Sequence, residues 1–208
     1  MPSDYAKFLK ELCIFTQRKH IIEIGVAFGD TALELCEAAR INGGQYYGYD
    51  GYSVNTPPTN LAEVRNKLNE AGYGEYSLTQ INTTTEEFRN LFKQKHTGAD
   101  FVFIDAGHSY KEIEYDFHTV YPCINEFGII AIHDTVAIDG VREFMIELRT
   151  SLNDNSFDMV ELPFSCDEMK LGINILVKRS FAKGEYPIRW CVGAKSSPED
   201  ILKREKQI

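Results

Sequence analysis

Apolar and polar positions divide the chain into short apolar runs and longer stretches with helical spacing. Ser3 is placed to cap a first helix running to about residue 16, with Tyr5, Phe8, Leu9, Leu12 and Cys13 on one face. An apolar run at 20–24 ends in Gly25, and a helical stretch at 30–40 is closed by Gly43 and Gly44. A second strand is predicted at 46–50. After a loop holding Pro57 and Pro58, residues 60–71 read as helix and 75–81 as strand. Thr84 and Glu87 have capping-box spacing ahead of Phe88, Leu91 and Phe92. Residues 100–105 are the clearest buried strand, apolar enough to be covered on both faces. A helix from Tyr110 carries Ile113, Phe117, Val120 and Tyr121, with Pro122 at its end. A strand at 129–133 follows Gly128, and Val141, Phe144, Met145 and Leu148 then form an i, i+3, i+4, i+7 face. Two strands, 157–162 and 172–178, close the sequence of elements with no helix between them. A weak strand around Trp190 and a short helix from Ser197 and Pro198 are predicted in the tail.

Five strand-then-helix units in succession imply an α/β, Rossmann-like, doubly wound fold with a mostly parallel sheet. The closing strand pair can only add as a hairpin or similar antiparallel element. No repeat, low-complexity segment or linker interrupts the 208 residues, a length that suits one core. The expected organisation is a single domain: an N-terminal helix over 1–19, a core over 20–178 and an appendage over 179–208, where the composition shifts.

The formal net charge of -9 sets the molecule against a phosphate backbone, so nucleic acid ranks low as a partner. Cys13, Cys36, Cys123, Cys166 and Cys191 are widely spaced and form no C-x-x-C pair. They are expected to be buried apolar residues, and a reducing, cytoplasmic setting fits them better than a disulfide framework or zinc site. The N-terminus lacks the basic start and apolar run of a signal peptide, and no run of eighteen apolar residues predicts a membrane span.

In an open parallel sheet, ligands sit beyond the carboxyl ends of the strands. Those ends carry Glu23 to Asp30, then Asp50, Asn82 to Thr84, Asp105 to Tyr110, and His133 to Thr135. Gly25 and Gly29 allow close backbone approach to a ligand, but their spacing is G-x-x-x-G rather than the G-x-G-x-x-G of a dinucleotide site. Glu23 and Asp30 would oppose a pyrophosphate and suit a ligand bearing an amino group and a sulfonium. Asp50, ending the second strand, can accept ribose hydroxyls; it also reads as a turn residue before Gly51.

The turn Glu23-Ile24-Gly25-Val26-Ala27-Phe28-Gly29 resembles the glycine-rich S-adenosylmethionine motif of class I methyltransferases. Phe103-Ile104-Asp105-Ala106-Gly107-His108-Ser109-Tyr110, then Tyr121-Pro122, Gly128-Ile129-Ile130 and His133-Asp134-Thr135, resemble one branch more closely. That branch is the methyltransferase-24-like family, near the macrocin and cephalosporin-type sugar and natural-product O-methyltransferases. By element order the resemblance covers roughly residues 20 to 178. It implies a seven-stranded sheet whose last strand is antiparallel. It places Glu23, Gly25, Val26 and Gly29 by the cofactor's methionine part, Asp50 and Gly51 by its ribose, and Asn82, Thr83 and Thr84 by the adenine, with Asp105 also bordering the cofactor.

Methyl transfer from a sulfonium needs the acceptor held in line and its proton removed or masked. A divalent cation such as Mg2+ can mask it, and relatives that use one ligate it with carboxylates at the ends of strands four and five, here Asp105 and Asp134. Some relatives read D-G-D after strand four, whereas Gly107 and His108 stand here, and the strand-five aspartate is flanked by His133 and Thr135. His108 and Asp105 are the candidate catalytic residues: His108 as general base, with metal ligation and loop bonding as its other roles. His133 reads as a ligand or an orienting group, and His20, His96 and His118 as surface or packing residues. The loops at 49–60 and 164–170 are candidates for acceptor contacts.

The expected activity is O-methylation of a small-molecule hydroxyl: a sugar, phenol or natural product. The competing readings are an NAD(P)-binding oxidoreductase, a non-catalytic methyltransferase-like binding module and a metal-dependent hydrolase. The N-terminal helix and tail could supply the interface of a homo-oligomer.

Overall fold

The computed structural model describes residues 4–52, 60–166 and 169–179, the side chains of 165, 166, 169 and 170 excepted. Ser3, most of the 49–60 loop, Cys191 and the tail elements near Trp190 and Ser197 lie outside this range. In chain order the elements are α1 (Asp4–Phe15), β1 (His20–Ile24), α2 (Asp30–Ile41), β2 (Gln45–Asp50), α3 (Leu61–Glu70), β3 (Ser77–Gln80), α4 (Glu86–His96) and β4 (Ala99–Ile104). They continue with α5 (Tyr110–Val120), β5 (Ile124–His133), α6 (Asp139–Glu147), β6 (Phe157–Leu162), β7 (Ser165–Cys166), β8 (Met169–Lys170) and β9 (Ile173–Lys178).

Seven strands form one sheet in the order β3-β2-β1-β4-β5-β9-β6. The first five are parallel, and β9 runs antiparallel to both β5 and β6. Side chains alternate across a strand, which explains the unbroken apolar run in β4. Phe101 and Phe103 enter a core layer with Leu9, Leu35, Tyr46 and Val64 from the α1, α2 and α3 side. Val102 and Ile104 enter the opposite layer with Phe88, Phe92, Ile113, Phe117 and Phe144 from α4, α5 and α6. The helices are thus placed on both faces, and the loops after β1 to β5 gather at one edge of the sheet.

Several boundaries differ from the sequence reading. β5 begins at Ile124, not residue 129; its first turn of chain holds exposed Asn125, Glu126 and Phe127, with Phe127 at φ 60°, so no buried pattern marks it. β3 is shorter than the 75–81 stretch. The cap of α4 is Thr85, whose hydroxyl accepts from the Phe88 N–H at 3.3 Å, so Thr84 and Glu87 form no capping box. Thr84 instead gives both its N–H and its hydroxyl to Asn82 Oδ1. The capping box of the structure is Ser109 with Glu112, at the start of α5. Cys13, Cys36 and Cys123 are buried free thiols.

Asp116 on α5 is fully buried, and neither carboxyl oxygen completes a hydrogen bond. Burial, then the charge of Glu112, push its pKa up to about 8, with the Thr83 hydroxyl opposing. The unfolded chain ionises this group near pH 4, so the folded state loses stability as pH rises from there towards 8. Asp116→Asn is therefore expected to raise the melting temperature at pH 7–8 by several degrees, since about 1 kcal/mol moves it by about 2–4 °C at this size, and to change little at pH 4. Scanning calorimetry at the two pH values checks this.

Candidate functional site

The site grows from two strand ends that touch. Gly25 follows β1 at φ +89°, and a Cβ there would lie 2.0 Å from the Asp105 carbonyl oxygen. The Gly25 N–H donates to Tyr49 O and the Asp105 N–H to Ile24 O, both at 2.8 Å, so the ladder extends past the strands into the turn. Asp50, at the end of β2, then clamps that turn. Its Oδ2 accepts from the N–H groups of Val26 and Ala27, each at 2.9 Å, and its Oδ1 accepts from Tyr52 N–H at 2.7 Å. Gly29 serves helix packing: it caps α2 at φ +75°, and a Cβ there would press on Val64 Cγ1 at 2.8 Å.

Above these strand ends is an open cavity of about 550 Å³. Gly25, Ala27 and Phe28 line it from the first turn, and Asp50, Gly51 and Tyr52 from the end of β2. Asn82 to Thr84 follow β3, Asp105 to His108 follow β4, and Glu112 comes from α5. The structure therefore brings together Gly25, Asp50, Gly51, Thr83, Thr84, Asp105 and His108 of the expected set. Glu23, Val26 and Gly29 are not among the lining residues. Glu23 is only 1% exposed and accepts a hydrogen bond from the Tyr46 hydroxyl. Burial raises its pKa well above the usual carboxylate range against that bond, and the charges of Asp105 and Asp50 raise it further. Glu112 is a lining residue outside the segments singled out in the sequence; Tyr52, from the 49–60 loop, has φ 43°, a conformation costly for a bulky residue, and its buried hydroxyl has no hydrogen-bond partner among the described residues.

The second half of the site is the junction of β4 and β5. Their register pairs Ile104 with Ile132, which sets Asp105 beside His133. Asp134 follows at φ 60°, a left-handed turn that aspartate tolerates better than most residues. His133 Nδ1 lies 3.1 Å from Asp105 Oδ1 and 3.2 Å from Asp134 Oδ1, while His108 Nε2 lies 2.9 Å from Asp134 Oδ2. Ligand atoms of Asp105, His108 and Asp134 all fall within 4.8 Å of one another. The bond to Asp134 raises the His108 pKa, outweighing burial, with the charges of Asp134 and Asp105 adding to it. Burial pulls His133 down, but the bond to Asp105 and the charges of both aspartates leave it raised.

The remaining histidines stand apart from the cavity lining. His96 is buried on the α4 face, with its ring nitrogens 2.8 Å from His20 Nε2 and 2.5 Å from the Tyr49 hydroxyl, and burial lowers its pKa to about 3. His118 packs edge-on to Phe117.

Residues 22–135, more than half of the chain, match the methyltransferase-24 family model, described as a methyltransferase domain. The chain belongs to this methyltransferase family. Solved structures share the fold of this methyltransferase at low identity. The O-methyltransferase TomG from Streptomyces achromogenes, involved in tomaymycin synthesis and solved with S-adenosylmethionine, is 16% identical over 84% of this chain and 79% of its own, with a TM-score of 0.68. The O-methyltransferase from Bacillus cereus, solved with S-adenosylhomocysteine, is 16% identical over 84% and 80%, also at 0.68. The cofactor-bound Rv0187 protein from MTB is 15% identical over 86% and 81%, at 0.66. No curated protein matches the sequence significantly. Among the described residues of the methyltransferase, no helix is long and apolar enough to cross a membrane.

The Gly25 contact generates a test of the framework. Gly25→Ala must adopt φ +89° and displace the Asp105 backbone, so it is expected to lower the melting temperature by several degrees, each strained residue costing about 1–3 kcal/mol. Gly51→Ala meets no atom within 4 Å and has no positive φ, so its melting temperature is expected to stay near the wild-type value. Thermal denaturation of the two variants side by side tests whether the positive φ and the contact with Asp105 together require glycine at this turn.

Proposed function

We propose that the protein transfers a methyl group from S-adenosylmethionine to a hydroxyl of a small molecule. The observation that carries this reading is that the clamped first turn, Asp50, the Asn82 to Thr84 segment and Asp105 line one cavity. Its volume of about 550 Å³ falls in the usual small-molecule range of roughly 300–1,000 Å³. The neighbours solved with S-adenosylmethionine or its product, two of them O-methyltransferases, support the same reading. Bound S-adenosylmethionine supplies a methyl group made electrophilic by its sulfonium.

The chain's own groups fit that cofactor. The Asp50 carboxylate has about four acceptor sites and spends three on backbone N–H groups, so one remains for a ribose hydroxyl. The positively charged sulfonium and amino group suit a lining that carries Asp50, Asp105 and Glu112. At the other end, two carboxylates and an imidazole converge, a donor set that fits a divalent cation. Asp105 and Asp134 would hold it, and the cation would lower the pKa of an acceptor hydroxyl. His108 faces the same cavity and is placed to receive the acceptor's proton. Its approach to both carboxylates equally supports a second role as third ligand.

Calorimetric titration with S-adenosylmethionine and S-adenosylhomocysteine, with and without Mg2+ and with NAD as control, tests the proposal. Micromolar binding of both sulfur ligands is expected. Asp50→Ala should weaken it about 10–100-fold, the equivalent of roughly 1.5–3 kcal/mol for bonds to a charged group. A clear NAD signal with no response to either sulfur ligand would sink the proposal in favour of an oxidoreductase. His108→Ala separates the two histidine roles: unchanged cation affinity with a fall in kcat identifies the base, whereas weakened cation binding identifies a ligand.

A further inference from the structure

His133 occupies an unusual place. It is the last residue of β5, its side chain is only 6% exposed, and its Nδ1 sits between two carboxylates from adjacent strand ends. An ionised carboxylate accepts and cannot donate, so the hydrogen in these contacts belongs to Nδ1. That N–H donates to Asp105 Oδ1 at 3.1 Å, and Asp134 Oδ1 lies 3.2 Å from the same nitrogen as a charge contact. The ring is held from the side by Tyr5 of α1, with centroids 4.3 Å apart, and by Phe103 of β4 at 6.2 Å. Its Nε2 is buried without a hydrogen-bond partner.

We propose that His133 is a positioning residue: its Nδ1–H holds the Asp105 carboxylate by a hydrogen bond while the same nitrogen lies against Asp134, and this sets the spacing with which the two carboxylates receive a divalent cation. The hydrogen bond turns Asp105 Oδ1 towards the ring, and Asp134 Oδ1 lies beside the same nitrogen. Asp134 Oδ2 is left to face His108 at 2.9 Å, on the cavity side. Tyr5 braces the ring, so helix α1 contributes to the geometry of the site although it supplies no lining residue. This inference rests on the divalent-cation part of the proposed function.

Two polar variants isolate the role of the nitrogen. In His133→Asn the side-chain amide can place an N–H where Nδ1 stood, whereas in His133→Gln it reaches towards the Nε2 position. The probe is Mn2+, titrated into S-adenosylhomocysteine-loaded protein and followed by electron paramagnetic resonance, with S-adenosylhomocysteine affinity and melting temperature measured on the same samples. The expected result is Mn2+ affinity weakened about 10–100-fold in His133→Gln and within about threefold of wild type in His133→Asn, the scale typical of groups that orient metal ligands. S-adenosylhomocysteine affinity should stay within about twofold in both. Equal Mn2+ affinity in all three proteins overturns the proposal. So does a parallel loss of Mn2+, S-adenosylhomocysteine and melting temperature in both variants, which would mark a purely structural histidine. Wild-type protein that binds S-adenosylhomocysteine but not Mn2+ overturns the positioning role and leaves methyl transfer standing. Wild-type protein that binds neither overturns both readings.

Discussion

The contact between Gly25 and the Asp105 carbonyl governs the site. Two neighbouring parallel strands normally diverge once their ladder ends, but here the chain leaves β1 with a positive φ and stays against the end of β4. Any side chain at Gly25 would separate them. Because they remain together, the first turn, Asp50 and Asp105 face one volume. The Asp50 carboxylate completes the arrangement by satisfying N–H groups that the turn would otherwise leave exposed. Close strand ends also bring acids together, and that creates the second problem the fold has to solve.

That problem is electrostatic. Glu23, Asp50, Asp105 and Asp134 lie at four strand ends within one site region, and like charges in a partly buried place repel strongly. The structure disposes of each in a different way. Glu23 is taken out of water, which favours its uncharged form, and accepts a hydrogen bond from Tyr46. Asp50 is surrounded by backbone N–H groups. Asp105 and Asp134 share His133, and Asp134 also meets His108. What remains is a cavity lined by Asp50, Asp105 and Glu112 whose strand ends are held together by the chain's own hydrogen bonds.

The same economy shapes the two faces of the sheet. The α1, α2 and α3 side carries Tyr46 and Phe103, which support Glu23 and His133 from below. The opposite side carries the buried His96, bonded to Tyr49, and the buried Asp116 of α5.

Most of the fold could be read along the chain, because its cause is local. Both faces of β4 are covered, so its apolar run is continuous; the period of α5 and α6 follows from one buried face each. The closing strand pair had to be antiparallel, since no crossover helix separates its members. Where local signals compete, the reading shifted: Thr84 and Thr85 both suit a cap, and only the turn made by Asn82 selects Thr85. The start of β5 was hidden because its first residue, Ile124, is buried and paired but is separated from the buried run that resumes at Gly128 by exposed residues 125–127.

For the site, the sequence by itself determined which strand ends carry acids, glycines and histidines, because β-then-α order alone sends those loops to one edge. Tertiary structure decided which of them meet. Gly25 borders the cavity while Gly29 packs against α3, Glu23 is buried outside the lining, and Tyr52 and Glu112 enter the wall. The bridge from His133 to two carboxylates depends on the β4–β5 register and on α1 lying over the ring. Spacing along a chain cannot encode such a meeting, because it is set by hydrogen bonds and packing between segments distant in sequence.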